Sequence, residues 1–157
     1  MLFRSEARGL LVKGRIFTAR LGSSEGRLAA AESFDAALAL GEKLNAPAIL
    51  WRAYAGQAKV AAAQGEIQQA LQRYESMWEQ APAKMRGDDS RRSDFLHRAQ
   101  EEAIDLAIRH GENQRALVFA LALHRSQMVS AGSRLGESRE DIRTLVQAAR
   151  PSQSADR

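Results

Sequence analysis

Apolar residues recur every three to four positions through most of the chain, and short polar stretches rich in glycine, serine and proline interrupt them. That pattern predicts amphipathic helices separated by turns. Periodicity begins at about Glu6, where Leu10, Ile16, Phe17 and Leu21 fall near one face, and stops at Gly22-Ser23-Ser24, which also offers a helix N-cap. A second helix is predicted through Leu28, Ala31, Phe34, Leu38 and Leu40 toward Leu44. Asn45-Ala46-Pro47 ends it, because proline suppresses the α conformation of the residue before it. A third helix, from about Ala48 to Gln64, carries Leu50, Trp51, Tyr54, Ala58 and Ala61, and Gly65 stands at the left-handed C-cap position. The fourth, Glu66 to Gln80, carries Ile67, Ala70, Leu71, Tyr74 and Trp78.

Pro82 to Arg92 has no period and forms the longest predicted loop. Ser93 or Asp94 is placed to cap a fifth helix bearing Phe95, Leu96, Ala99, Ala103, Ile104 and Ala107, closed by His110-Gly111. A sixth runs through Ala116, Leu117, Phe119, Ala120 and Leu123 to about Ala131. After Gly132 and Gly136, Ser138 with Asp141 resembles a capping box for a short helix bearing Ile142, Leu145 and Val146. The expected organisation is a helical domain over 6–131, a short C-terminal helix over 132–150 and a disordered tail over 151–157. Residues 1–5 are set aside as a candidate non-native leader, since Leu-Phe-Arg-Ser reads like the translated end of a common sequencing-library adapter. On that reading the chain is a fragment.

Composition narrows the class. The 157 residues hold 45% hydrophobic side chains and only three prolines, and alanine, leucine, glutamine, glutamate and arginine dominate. These residues lose little freedom in a helix, so the fold class expected is all-α. No apolar run is long enough to span a bilayer and no signal-peptide pattern opens the chain, so a cytoplasmic protein without membrane contact is expected. Cysteine is absent, which excludes disulfides, thiolate metal ligands and a cysteine nucleophile within these residues. The net charge of +4, from 23 basic against 19 acidic residues, fits a mixed-charge surface better than a nucleic-acid footprint. Arginine-rich, alanine-rich usage also matches a GC-rich bacterial genome.

Three predicted hairpins of similar length suggest a repeat. In the second, Tyr54, Ala58, Gly65, Ala70, Tyr74 and Pro82 occupy the large, small, turn, small, aromatic and proline positions of the tetratricopeptide pattern. In the first, Gly14 takes the small position, and Ala30, Phe34 and Ala37 supply the second-helix signature. In the third, Gly111 and Ala116 match, while Ala120 stands where an aromatic is usual. From about Arg8 to Ala131 the chain therefore resembles a degenerate tetratricopeptide repeat (TPR) protein, and the resemblance implies a right-handed superhelix of antiparallel hairpins, an α-solenoid of about three hairpins plus the short C-terminal helix. The run Arg92-Ser93-Asp94-Phe95-Leu96, then Ile104-Asp105-Leu106-Ala107, His110-Gly111, Ala116-Leu117 and Arg125-Ser126, resembles the last hairpin before the caspase-like domain of CHAT proteins (caspase, HetF-associated with repeats). The histidine and cysteine pair of that domain has no counterpart here, so proteolysis is not carried over. Leu50-Trp51-Arg52-Ala53 also resembles repeats of bacterial signalling ATPases and transcriptional regulators.

Catalytic chemistry has little foothold. His97, His110 and His124 show no zinc-site spacing with one another or with a carboxylate, and Gly22 and Gly26 lack the lysine and preceding strand of a phosphate loop. No metal or cofactor is expected. The resemblance places the first helix of each hairpin on a concave face, and the register puts Arg8, Arg15, Arg52, Lys59, Arg98 and Arg109 there beside Glu101 and Asp105. Converging cations suit an acidic protein segment or a terminal carboxylate; a solvated mixed-charge face is the plainer reading. The leading expectation is a protein-binding scaffold without catalysis, of a bacterial signalling type. The alternatives are a regulatory arm of a larger CHAT-type protease or signalling regulator and, ranked below both, a nucleic-acid-binding module. Apolar end faces would also permit self-association.

Overall fold

The computed structural model describes residues 2–81 and 90–130, and every regular element among them is a helix. They are α1 (Leu2–Thr18), α2 (Ser24–Lys43), α3 (Pro47–Gln64), α4 (Ile67–Gln80), α5 (Ser90–Arg109) and α6 (Asn113–Ser130). Each helix packs on the next in order, and α1 also meets α3. Turns of a few residues join α1 to α2, α3 to α4 and α5 to α6, so each of these pairs is an antiparallel hairpin. The expected helix over 132–150 and tail over 151–157 lie outside the described residues, as does most of the Pro82–Arg92 loop.

Local chemistry accounts for most boundaries. Ser23 is an extended N-cap whose hydroxyl accepts from the Gly26 amide at 3.0 Å. Arg27 donates through Nη1 to the Leu21 carbonyl at 2.8 Å, tying the α1–α2 turn to the helix it starts. Helices α2, α3 and α5 end alike, with a left-handed residue at Asn45 (φ 45°), Gly65 (φ 83°) and Gly111 (φ 74°). The next amide then reaches back at 2.9 Å to Gly41, Ala61 and Ala107 respectively, the closing bond of a Schellman motif. α2 therefore ends where expected, but by different chemistry. Asn45 terminates it, and Pro47 instead opens α3 at the first helical position, where a missing N–H costs nothing.

Two helices begin earlier than predicted. α1 starts at Leu2 instead of about Glu6, since nothing in 2–5 breaks a helix, and it closes at Thr18, leaving Leu21 in the turn. α5 starts at Ser90, ahead of the predicted caps Ser93 and Asp94. The buried faces also differ in places. Ile16 (63% exposed), Leu28 (61%) and Leu117 (52%) were expected in apolar stripes but face outward. In α2 the face turned inward is instead Gly26, Ala30, Ser33, Phe34, Ala37 and Gly41. Small side chains let neighbouring helices approach closely, so they win the interface although larger apolar residues lie on the adjacent face.

α3 is the shared wall of two cores. Trp51, Ala55 and Ala58 point into one, with α4, α5 and α6. Ile49, Ala53 and Val60 point into the other, with α1 and α2. These are two sets at helical spacing on different sides of one helix, and a helix apolar around most of its circumference must be buried between neighbours. Phe34 of α2 fills the junction. A Cβ added at Gly14 would stand 2.7 Å from its ring, and one at Gly56 closer still, so the ring lies flat against two glycines on α1 and α3. Of the remaining packing positions named by the repeat pattern, Ala30 is buried in the core with α1 and α2, Ala58, Ala70, Tyr74 and Ala116 are buried in the other, and Tyr54 packs half-buried against the latter.

Candidate functional site

Two turns of helix return to the same face after seven residues, and α1, α3 and α5 each present such a stripe to a common groove. α1 contributes Arg8, Leu11, Val12 and Arg15; α3 contributes Arg52, Gly56 and Lys59; α5 contributes Phe95, Arg98 and Glu102. Two adjoining cavities result, of about 340 and 270 Å³. They share Arg15, Phe34, Arg52 and Phe95. Among the described residues the first is lined by Arg8, Arg15 and Arg52 with apolar Leu11, Val12, Phe34 and Phe95. The second adds Lys59, Arg98 and Glu102.

Aromatic rings hold the cations in place. The Arg15 guanidinium carbon lies 5.1 Å from the Phe95 ring centre and the Lys59 ammonium 5.8 Å from it, both within cation–π range. Phe95 leans on the buried Trp51 at 5.7 Å between ring centres, and Arg52 stacks over Trp51 at 4.9 Å. Charges from α1 and α3 thus converge on one aromatic step built from α3 and α5. Such cations suit an anion that also carries apolar surface, because exposed Val12 and half-buried Phe95 lie between them.

Glu102 is the counter-charge on the α5 side. Lys59 Nζ stands 3.0 Å from both of its carboxylate oxygens, and the Tyr74 hydroxyl donates to Oε2 at 3.4 Å. Burial, reinforced by that carboxylate, raises the Tyr74 hydroxyl far above its ordinary value of 10.0, so it remains a donor. The Lys59 and Glu102 side chains are 30% and 45% exposed, which limits the pair to about 1 kcal/mol or less after solvent screening. Its importance is positional: it links α3 to α5 and sets the charge at one end of the groove.

Of the residues expected on this face, Arg8, Arg15, Arg52, Lys59 and Arg98 are brought together. Glu101, Asp105 and Arg109 are not among its lining residues. Glu101 sits one turn beyond His97, 3.3 Å from its Nε2, and Asp105 pairs with Arg109 in the same i, i+4 relation. The register used for α5 followed the stripe 98, 101, 105, 109, whereas the groove follows 95, 98, 102; one position rotates a side chain by about 100°. The His97–Glu101 contact was also overlooked among the histidines. Glu102, Phe95 and Phe34 are groove residues outside that expectation, in which the two phenylalanines figure in the apolar stripes of their helices. Among the described residues no group of three or more histidine, aspartate or glutamate side chains is placed to hold a metal ion, and no helix is long and apolar enough to cross a membrane.

Away from the groove, α4 and α6 are joined by Arg115, whose Nε lies 3.1 Å from Glu75 and whose Nη1 donates to Gln68. Trp78 stacks on Phe119 at 4.7 Å. These contacts knit the second and third hairpins. No protein-family model, curated protein or solved structure matches this chain.

Proposed function

We propose that the three hairpins are tetratricopeptide-like repeats stacked as a right-handed superhelix, and that the chain is a non-catalytic scaffold holding an acidic protein segment in its groove. One observation carries the reading: five cations from three helices distant in sequence meet around Phe34 and Phe95 in an open groove. The small residues at the helix interfaces, Ala58 and Ala70 above all, agree with the repeat pattern. Arginine supplies paired donors for carboxylates, and the apolar walls between the cations favour a peptide that alternates acidic with bulky apolar side chains.

The test is fluorescence anisotropy with labelled short peptides of that composition, against scrambled-charge controls and a single-stranded oligonucleotide of matched charge. The wild-type chain is expected to bind the acidic-apolar peptides saturably. A triple R52E/K59E/R98E variant with an unchanged melting curve should lose that binding by about tenfold or more. Equal binding by the variant would overturn the reading, as would tighter binding of the oligonucleotide with a steep salt dependence.

A further inference from the structure

One aromatic ring brings together cations from two hairpins. Half-buried Phe95, near the start of α5, lines both cavities of the groove. The Arg15 guanidinium carbon of α1 lies 5.1 Å from its ring centre and the Lys59 ammonium of α3 lies 5.8 Å from it. The ring rests in turn on buried Trp51, 5.7 Å away between centres. Lys59 is held a second time by Glu102, at 3.0 Å, and seven residues of helix place Glu102 on the same face of α5 as Phe95. Arg15 is exposed and the Lys59 side chain 30% exposed. Long cationic side chains in such places have rotamer freedom to lose when a ligand arrives, and a ring that already holds them reduces that loss.

On the reading that the groove takes an acidic segment, we propose that Phe95 is a positioning residue whose ring presents Arg15 and Lys59 together, so that cations from separate hairpins act as one carboxylate-binding site. The ring works through these two side chains, and its contribution to binding exists only while they are present. On a face of independent solvated charges, removing the ring costs the same whichever cation stands beside it.

Variant cycles read by peptide anisotropy, together with proton spectra of the free chain, test this. F95L keeps apolar bulk against Trp51 without a ring and should weaken the acidic-apolar peptide by about threefold to tenfold; F95Y should stay within about twofold of the wild type. The loss caused by F95L should shrink in R15A and in K59A backgrounds. It should remain full in R8A, because Arg8 borders the groove but is not one of the cations over the ring. In the free chain, ring currents should move the Arg15 δ-methylene and Lys59 ε-methylene protons upfield in the wild type and F95Y, and not in F95L. Absence of those shifts from the wild type overturns the proposal whether or not a peptide binds. An F95L loss of equal size in every background also overturns it, marking a plain apolar contact, as does an F95Y variant no better than F95L. Shifts present in a wild-type chain that binds no acidic-apolar peptide overturn the acidic-segment reading itself, and with it the role of the ring in binding.

Discussion

At the scale of single residues, the junction of Phe34 with Gly14 and Gly56 is the most demanding feature of the fold. A ring that fills the gap between α1 and α3 needs a partner without a Cβ on each side. Replacing Gly56 with alanine trades a helix propensity gain of up to about 1 kcal/mol for a methyl group driven into the Phe34 ring, and overpacking of this kind typically costs about 1–3 kcal/mol. G56A is therefore expected to lower the melting temperature, and the double variant G56A/F34L to recover part of the loss. A G56A variant as stable as the wild type would contradict the close approach. Gly14 and Phe34 are legible in the sequence because they match the small first-helix position and the second-helix signature of a repeat pattern. Gly56 was not singled out, although a glycine inside an alanine-rich helix is itself a signal of a backbone or ring packed close by.

Elements were legible where turn chemistry is explicit. The stretch Gly22-Ser23-Ser24 announces an N-cap and Gly65 a C-cap, and the structure has Ser23 and Gly65 in those roles. Asn45 was read only through the proline that follows it, so its left-handed backbone went unnoticed. This position offers a clean check, because asparagine tolerates a positive φ, glycine does so without strain and a β-branched residue does not. N45G is expected to leave thermal stability unchanged or slightly raised, and N45V to reduce it by about 1–2 kcal/mol in urea titrations. Equal stability of the two variants would mean that α2 does not end in the left-handed conformation. Faces were harder to read than boundaries. In α2 both the larger apolar residues and the small ones keep helical spacing, and only the approach of α1 and α3 decides that Ala30, Ala37 and Gly41 turn inward while Leu28 stays out.

For the whole molecule, the groove depends on distances that no single helix encodes. The stripes of α1 and α3 could be read from the sequence because Arg8, Arg15, Arg52 and Lys59 fall on one face of their helices. On α5 the register slipped by one position, exchanging Glu102 for Glu101, because charged residues crowd that helix and several stripes satisfy the period equally well. Phe95 could not be recognised as a groove residue until Arg15, from another hairpin, was seen lying over it. Exposed Phe3 and Ile16 on α1, with Ile108 and Leu117 on α5 and α6, also leave apolar surface outside the groove. The central claim concerns the groove, and amide chemical-shift mapping during titration with an acidic-apolar peptide tests it most directly. The account predicts saturable shifts around Arg15, Arg52, Lys59 and Arg98, with the outward faces of α2, α4 and α6 unmoved. Shifts confined to those outward faces, or no saturable shift at any peptide concentration, would contradict it.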